Sequence, residues 1–517
     1  MGKHIKSALF ATAFALAAGA ANAGEITVSL PGDIRSIDFG VNRDANTDTV
    51  LHHIVEALVA YRNDLSVGPM LAESWEVSED GRSYTFTLRN GVVFHNGEPV
   101  TAREVKWSWD RLLDEKTGFL CRSWFKGGSL GIDITSIEAL DDRHVRFTLA
   151  EPNGLFLTRM AHKVCLSGII HPDSVGEDGK LEKLIATGPF TLGEHRKGQY
   201  VRLDRFDGYV PLDTPRDGYS GSRETFVDSV WFLVTPDAAA AKTALLAGDI
   251  DVLPRLDLST LAEVEGTEGL SVQTVATPEW EVLMMQNTDP LLSDRRLRQA
   301  IGHAIGIDAL TAGATNGLGK PNPSAVPRAS SYFGPAFAEG LGYDPDKAKA
   351  LLAEAGYDGR PLKLVTNATY PFDNIAAIAI QSMLQQAGIN VELDVLDWAS
   401  QYAAYKEGKF QMMVMGFSAR TDPTLMMNVV VGDKASRGNA IVDAPEIIEL
   451  VNQSGVATDP ETRADLFRKA HSLIVEDASV IGLFNPARAV GLNAGVEGFE
   501  LWPLESPRLW GVRTSGE

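Results

Sequence analysis

Segments typical of β-strands and of α-helices alternate along nearly the whole chain, and this alternation limits the fold more than any other feature. The clearest case is a strand at residues 362–366, a helix over about 374–387 and a second strand at 391–396. A connection of that length is long enough for the two strands to be parallel. The sequence therefore predicts an α/β protein.

Turn and cap residues predict several further elements. Residues 25–30 (EITVSL) alternate like an opening strand, and residues 75–77 and 83–89 are predicted to pair as a hairpin around the Asp80-Gly81 turn. Asp344-Pro345 and Asp459-Pro460 each combine a helix N-cap with a proline at the first helical position. Helices are therefore predicted to begin at both dipeptides.

The first 23 residues have the pattern of an export signal. Lys3 and Lys6 precede an apolar run at residues 8–21, and Ala21-Asn22-Ala23 is a signal-peptidase cleavage motif. The run is too short to span roughly 30 Å of hydrocarbon, and Gly24 stands where a lipid anchor would need cysteine. The mature protein is therefore expected to be free in the bacterial periplasm.

Composition narrows the possible partners and the domain count. The formal charge of −21 becomes more negative once the two signal lysines are removed. This acidity argues against a surface that binds nucleic acid and against a polybasic patch that docks on a membrane. The mature chain is too long for one hydrophobic core, so two or three domains are expected. Cys121 and Cys165 are predicted either to form one disulfide or to be two buried thiols.

Motifs for enzymatic chemistry are not found in the sequence. Residues 313–320 superficially suggest a phosphate loop, but Ala314 replaces its first glycine and Pro321 replaces the magnesium-binding hydroxyl residue. No G-x-S-x-G or H-E-x-x-H sequence occurs. We therefore expect no catalytic residues, no metal and no cofactor.

Several segments resemble those of a known family in the same order along the chain. They include LAESWEVSEDG at 71–81 with YTF at 84–86, LRNGV at 88–92 with FHNG at 94–97, TGPF at 187–190, DGY at 207–209, LRQA at 297–300, YDP at 343–345 with KA at 347–348, and MGF at 415–417. In these segments the chain is similar to the extracellular solute-binding proteins of peptide-type ABC importers, family 5, which bind dipeptides, oligopeptides or glutathione.

The resemblance implies a fold and a set of partners. The implied fold is the two-lobed periplasmic-binding-protein fold (type II, cluster C-like) with an extra domain inserted in lobe I. Lobe I would comprise 24–57, 185–286 and 484–517, the insert 58–184 with both cysteines, and lobe II 287–483, with crossings near 286–288 and 483–485. The implied partners are a small-molecule ligand and the permease subunits in the inner membrane, and the protein is expected to be a monomer.

The chain departs from the peptide binders at two anchor positions. Oligopeptide binders resembling it carry an aspartate for the peptide amine where this sequence has Arg420, within Gly416 to Arg420 after a strand at 411–415. Asn367 takes the place of an arginine that holds the peptide carboxylate. An arginine facing the cleft would favour a carboxylate, a phosphate or a hydroxyl-rich ligand; alternatively, Arg420 pairs with Asp422 at the surface.

The remaining candidates come from positions that line the cleft in the family. The predicted ligand-binding residues are Arg420, Trp398, Phe417, Trp280, Glu281, Asn367, Tyr370 and Asn46. The predicted function is capture of a small polar ligand (peptide-like, opine or oligosaccharide) by lobe closure and its delivery to the permease. The alternatives are a secreted hydrolase or a chemosensory adaptor on the same fold.

Overall fold

The structure is a computed structural model that describes residues 24–127 and 131–514. The predicted export signal at 1–23 lies outside these residues. The strands, numbered in chain order, are β1 (Glu25–Leu30), β2 (Val59–Tyr61), β3 (Val67–Pro69), β4 (Ala72–Val77), β5 (Ser83–Leu88), β6 (Ile134–Ala139), β7 (His144–Leu149), β8 (Phe190–Arg196), β9 (Tyr200–Arg205), β10 (Ser229–Val234), β11 (Val252–Leu256), β12 (Leu270–Ala276), β13 (Trp280–Met285), β14 (Lys320–Pro321), β15 (Leu362–Asn367), β16 (Val391–Leu396), β17 (Met412–Phe417), β18 (Val480–Asn485), β19 (Ala487–Asn493), β20 (Val496–Glu497) and β21 (Arg513–Thr514).

The helices alternate with these strands. They are α1 (Ala45–Leu51), α2 (Ala102–Leu113), α3 (Phe156–Met160), α4 (Ala238–Ala247), α5 (Leu261–Glu265), α6 (Arg295–Ala304), α7 (Ile307–Ala314), α8 (Pro335–Ala338), α9 (Pro345–Glu354), α10 (Pro371–Gln386), α11 (Trp398–Glu407), α12 (Pro423–Met427), α13 (Pro445–Val456) and α14 (Pro460–Asp477).

Three larger sheets organise the molecule. One has seven strands in the order β12-β19-β11-β1-β10-β9-β8, one has six in the order β14-β18-β13-β17-β15-β16, and one has four in the order β4-β5-β7-β6. A single hydrophobic core is shared by the seven-stranded and four-stranded sheets. We call these two sheets with their helices the first lobe, and the six-stranded sheet with its helices the second lobe.

The six-stranded sheet is buried on both faces. Along β13, Leu283 and Met285 belong to one apolar core, whereas Val282 and Met284 belong to the other. Period-two alternation sends successive side chains to opposite faces of a sheet, so a strand covered on both sides is mainly apolar, and Glu281 is the exception in β13. This sheet is therefore the rigid centre of the second lobe.

The local predictions for the second lobe are confirmed. β15 and β16 are parallel, and α10 connects them. The side chains of Asp344 and Asp459 accept hydrogen bonds from the backbone N–H groups of Lys347 and Thr462, and so cap α9 and α14. Each cap fixes the residue at which the preceding loop ends and the helix begins.

The four-stranded sheet contains the predicted hairpin. β4 and β5 are antiparallel, and Gly81 has the left-handed conformation (φ +68°) that the connecting turn requires. Cys121 and Cys165 form a disulfide with their Cα atoms 6.0 Å apart, which confirms the bridged alternative. The bridge joins the segment after α2 to the segment after α3.

The described residues, 24–127 and 131–514, lack two further features. No helix there has the length and apolarity needed to cross a membrane. The same ranges hold no group of three or more His, Cys, Asp or Glu side chains arranged to bind a metal ion.

Candidate functional site

Two short crossings join the lobes, and they lie side by side. β12 of the seven-stranded sheet leads into β13 of the six-stranded sheet through residues 277–279, and β18 leads back into β19 through Pro486 alone. The backbone N–H of Thr277 donates to the carbonyl oxygen of Pro486 at 2.8 Å. The side-chain amide of Asn485 donates to the carbonyl oxygen of Glu279 at 2.6 Å. The two connections therefore form one hydrogen-bonded unit.

The first crossing lies earlier in the chain than the resemblance implied. β13 pairs with both β17 and β18, so Gln286 is at the far end of this strand from the crossing. Every residue of β13 is buried. A strand that is buried on both faces lacks the alternation of polar and apolar residues, so its sequence does not indicate to which of the two sheets it belongs. The predicted domain limits as a whole stay a prediction.

Most of the predicted binding residues lie along one edge of the six-stranded sheet. β15, β16 and β17 are parallel, and β13 is antiparallel to β17, so the carboxyl ends of the first three meet the amino end of β13. We call this the crossing edge, because the two crossings leave from it. In open α/β sheets, ligands bind outside the carboxyl ends of the strands. The predicted residues at or just beyond the crossing edge are Trp280, Glu281, Asn367, Tyr370, Trp398, Phe417 and Arg420.

Two of these side chains are packed inside the second lobe. The indole N–H of Trp280 donates to the carbonyl oxygen of Asn322 at 3.2 Å, and the ring is buried. Phe417 packs on Tyr405 with ring centroids 5.7 Å apart. β17 runs through Phe417 and does not end at Met415 as predicted. Ligand contact by either ring stays a prediction.

Glu281 and Asn367 belong to a buried polar network. The side-chain amide of Asn367 donates to Asp373 at 2.7 Å and to Gln401 at 2.6 Å. Glu281 lies beside Asp373, and a Cβ atom at Gly416 would come within 2.7 Å of a Glu281 carboxylate oxygen. Glycine at 416 therefore leaves the space that the carboxyl group occupies. Both donors of the Asn367 amide are used within the network.

This network gives a testable pH dependence. Burial raises the pKa of Glu281 well above its usual range, and the charge of Asp373 raises it further; burial likewise raises the pKa of Asp373 to about 6. The folded state then binds more protons than the unfolded state, so this pair lowers stability as pH rises above the unfolded pKa values. Relative to the wild type, Glu281→Gln is expected to gain about 1–2 kcal/mol of unfolding free energy between about pH 5 and about pH 8.

Urea denaturation at several pH values measures this difference. Glu392→Gln on the exposed side of β16 is the control for the loss of one carboxylate from the second lobe. If the difference in unfolding free energy between Glu281→Gln and the wild type is the same at every pH, the raised pKa of Glu281 is contradicted.

Aromatic rings form a continuous row beyond the carboxyl ends of β15, β16 and β17. The centroid separations are 4.9 Å for Tyr370–Trp398, 5.5 Å for Trp398–Tyr402, 6.1 Å for Tyr402–Tyr405 and 5.7 Å for Tyr405–Phe417. Tyr370 and Tyr402 are 46% and 45% exposed. The row therefore leads from a buried end at Phe417 to an exposed end at Tyr370, and the predicted residue Trp398 is the second ring from the exposed end.

Arg420 lies just beyond the crossing edge and is half-buried. One guanidinium nitrogen donates to the carbonyl oxygen of Ser418 at 2.9 Å and to its hydroxyl at 2.8 Å. Asp422 instead binds Arg463 at 2.8 Å, so the alternative of an Arg420–Asp422 surface pair is wrong. The charge of Arg420 lowers the pKa of His162 in the first lobe. The hydroxyl of the next residue, Thr421, donates to Tyr61 of the first lobe at 2.7 Å, so Arg420 lies at the boundary between the lobes.

Asn46 lies on the opposite side of the boundary between the lobes. β1, β10 and β11 are parallel, and α1 begins in the segment that follows β1. Asn46 is partly exposed there, and its amide nitrogen would come within 2.8 Å of a Cβ atom at Gly32. Its role as a ligand contact stays a prediction.

Four residues of the first lobe near Arg420 were not predicted. Tyr61 accepts a hydrogen bond from the Thr421 hydroxyl at 2.7 Å across the boundary, and Arg159 stacks on Trp124 with its guanidinium carbon 3.9 Å from the ring centre. His162 meets Trp124 edge to face at 5.0 Å. No motif marks these residues. The available signal was the cysteine pair, because the disulfide brings together the segments that carry Trp124, Arg159 and His162.

Comparisons with known proteins agree with this architecture. Residues 66–437 match the family described as bacterial extracellular solute-binding proteins, family 5 Middle. The probable D,D-dipeptide-binding periplasmic protein DdpA of Escherichia coli (strain K12) is 26% identical over 512 residues, which cover 96% of this chain and 95% of the relative.

Solved structures share the fold along the whole length. HbpA2 from Haemophilus parasuis superposes with a TM-score of 0.82 at 24% identity, covering 95% of this chain and 100% of that one. The binding protein AgaA from A. tumefaciens R10, solved in complex with agropinic acid, has a TM-score of 0.66 at 26% identity and covers 96% and 99% of the two chains. The two-lobed fold is thus confirmed, and the chain belongs to the bacterial extracellular solute-binding proteins of family 5.

Proposed function

We propose that this chain captures one small polar solute between its lobes and delivers it unchanged to the permease subunits of a peptide-type ABC importer. The observation that carries the proposal is the pair of adjacent crossings. They connect two lobes, each with two hydrophobic cores against its central sheet, and the predicted binding residues Asn46 and Arg420 lie on opposite sides of the boundary. Such a connection permits rotation of the lobes about a ligand.

The contacts across the boundary suit reversible closure. Besides the Thr421–Tyr61 hydrogen bond, the backbone N–H of Gly154 donates to the carbonyl oxygen of Gly455 at 3.0 Å, and that of Ser331 donates to the carbonyl oxygen of Asp64 at 2.7 Å. Each such bond contributes only about 1 kcal/mol net, because water replaces it when the lobes part. A ligand that contacts both lobes can therefore shift the equilibrium towards the closed form.

Three ligand classes suit the site: a modified peptide, an opine and an oligosaccharide. An ordinary zwitterionic dipeptide is disfavoured, because Arg420 would repel its amine and both donors of the Asn367 amide are already used. The aromatic row offers flat apolar faces on which a sugar ring or a side chain can stack. The relative solved in complex with agropinic acid falls within this range.

The proposed compartment is the periplasm. In this proposal, residues 1–23 direct export and are removed before Gly24, and the mature chain carries no lipid anchor and acts as a monomer. The relatives are binding proteins, and we propose that this chain likewise makes or breaks no bond in its ligand.

Native mass spectrometry of the protein purified from the periplasm tests the proposal. We expect one bound small molecule per chain and a more compact closed form on readdition, measured by small-angle X-ray scattering. The ligand should raise stability by about 4 kcal/mol at a thousand times its dissociation constant.

Two further measurements separate the alternatives. A secreted hydrolase would convert the ligand during prolonged incubation, whereas a binding protein returns it with unchanged mass. A chemosensory adaptor would bind the ligand, yet uptake of labelled ligand would continue in a strain that lacks the gene.

A further inference from the structure

Among the residues that the structure describes, the buried cation Arg159 has no counter-ion within ion-pair distance. Its side chain belongs to α3 of the first lobe and is only 8% exposed, and its Nε atom is fully buried without a hydrogen-bond acceptor. Within residues 24–127 and 131–514, no carboxylate lies within ion-pair distance (4.0 Å) of the Arg159 guanidinium. The face of Trp124 supports the guanidinium plane from one side, which leaves its in-plane N–H groups to meet another partner.

Burial of this charge is unfavourable in the absence of a ligand. Desolvation lowers the pKa of Arg159 to about 10, and the positive charge of Arg420 lowers it further. The side chain nevertheless remains protonated at neutral pH. An unpaired buried charge is strongly destabilising, so its retention points to an anion that is bound there.

Arg420 lies across the boundary from Arg159 and is likewise without a carboxylate partner among the described residues. The Tyr61 hydroxyl donates to the carbonyl oxygen of Thr158 at 2.6 Å and accepts from the hydroxyl of Thr421 at 2.7 Å. It therefore joins the residue before Arg159 to the residue after Arg420.

Burial lowers the pKa of Arg420, and its only hydrogen bonds in the part of the chain that the structure describes go to Ser418 and Ala419. Asp422 is the acid that raises the pKa of Arg159, but its carboxylate is held by Arg463. Neither guanidinium therefore has a carboxylate of its own.

His162 adds a neutral donor to this cluster. Burial lowers its pKa to about 3, and the charges of Arg159, Lys163, Arg420 and Arg43 lower it further. The backbone N–H of Val164 donates to Nδ1 of His162, which assigns the ring proton to Nε2. The ring therefore contributes no negative charge to the two arginines.

We propose that the ligand carries a carboxylate that bridges Arg159 and Arg420 and so holds the two lobes together. Planar guanidinium groups bind carboxylates through paired N–H donors, and the neighbouring rings of Trp124 and Tyr61 suit the organic part of such an acid. This inference rests on the proposed function and narrows its ligand to a small organic acid.

Paired probes that differ only in this group test the inference. We would titrate the ligand-free protein by calorimetry with N-acetyl-D-alanyl-D-alanine and its C-terminal amide, with agropinic acid and its primary amide, and with neutral maltotriose. At least one acid should bind, and its amide should bind at least about 30-fold more weakly, since one partner of a buried charge pair is lost.

Variants of the two arginines complete the test. Arg159→Gln and Arg420→Gln should each weaken the acid at least about 30-fold, while Arg255→Gln, which removes another positive charge near the boundary, should change affinity less than about threefold. Arg159→Lys keeps the positive charge but loses the planar guanidinium with its paired N–H donors, so it should give an intermediate loss of affinity. Far-UV circular dichroism checks that each variant folds.

The inference and the proposed function can fail separately. If an amide or maltotriose binds as tightly as the acids, or if both glutamine variants bind an acid like the wild type, the carboxylate bridge is overturned and the role in solute capture stands. If no probe binds and no small molecule accompanies the purified protein, the carboxylate bridge and the role in solute capture are both wrong.

Discussion

Replacement of Arg463 by leucine is expected to lower the free energy of unfolding by about 3–5 kcal/mol, because it leaves the buried carboxylate of Asp422 without its cation. Arg463 donates to Asp422 at 2.8 Å, to the hydroxyl of Thr424 at 3.1 Å and to the carbonyl oxygen of Ser454 at 2.8 Å. It thereby joins α12, α13 and α14 at one point of the second lobe.

Urea denaturation followed by circular dichroism measures this loss. Arg468→Leu is the matched control, since Arg468 lies on the same helix, is 51% exposed and pairs only with Asp465; its removal should change stability by less than about 0.5 kcal/mol. Equal losses in the two variants would show that the helix tolerates leucine poorly, and the argument from the buried ion pair would be wrong.

Removal of the disulfide by Cys121→Ser and Cys165→Ser together is expected to lower stability by about 4 kcal/mol, because the 44-residue loop is no longer closed in the unfolded chain. The same change should weaken ligand binding. The bridge holds the segment with Trp124 against the segment with His162, whose rings are 5.0 Å apart, and these residues flank Arg159.

Denaturation with and without a thiol reductant provides the comparison. The reduced wild type should unfold at the same urea concentration as the double serine variant, and the variant should be insensitive to reductant. A variant as stable as the oxidised wild type would contradict a structural role for the bridge.

The sequence sufficed for elements with local signals. The caps at Asp344 and Asp459 and the turn at Asp80-Gly81 form from residues a few positions apart, so their chemistry is visible in the chain itself. The β15-α10-β16 unit was also predictable, because the connection contains a helix and is long enough for a crossover between parallel strands. The disulfide was one of two alternatives, and only the spatial distance between the cysteines could decide between them.

The site was less predictable, because burial and counter-ions depend on distant parts of the chain. Asn367 was predicted as a ligand contact, but both its amide donors go to Asp373 and Gln401 in the surrounding network. The sequence left two alternatives for Arg420, which could face the cleft or pair with Asp422. The second is wrong because Asp422 binds Arg463, which lies 43 positions after Arg420 in the sequence. Arg159 gave no signal at all, since an arginine in a short helix is ordinarily solvated.

The paired crossings at residues 277–279 and at Pro486 act as a single pivot. Both crossings are covalent and short, and the hydrogen bond between Thr277 and Pro486 keeps them side by side, so a rotation of one lobe against the other would turn about this point. For a given angle of turn, displacement grows in proportion to distance from the point, so atoms at the outer rims would travel furthest. In the proposed import role, a permease that contacts both rims would therefore act through a long lever arm, and a small force there would produce a large torque about the crossings.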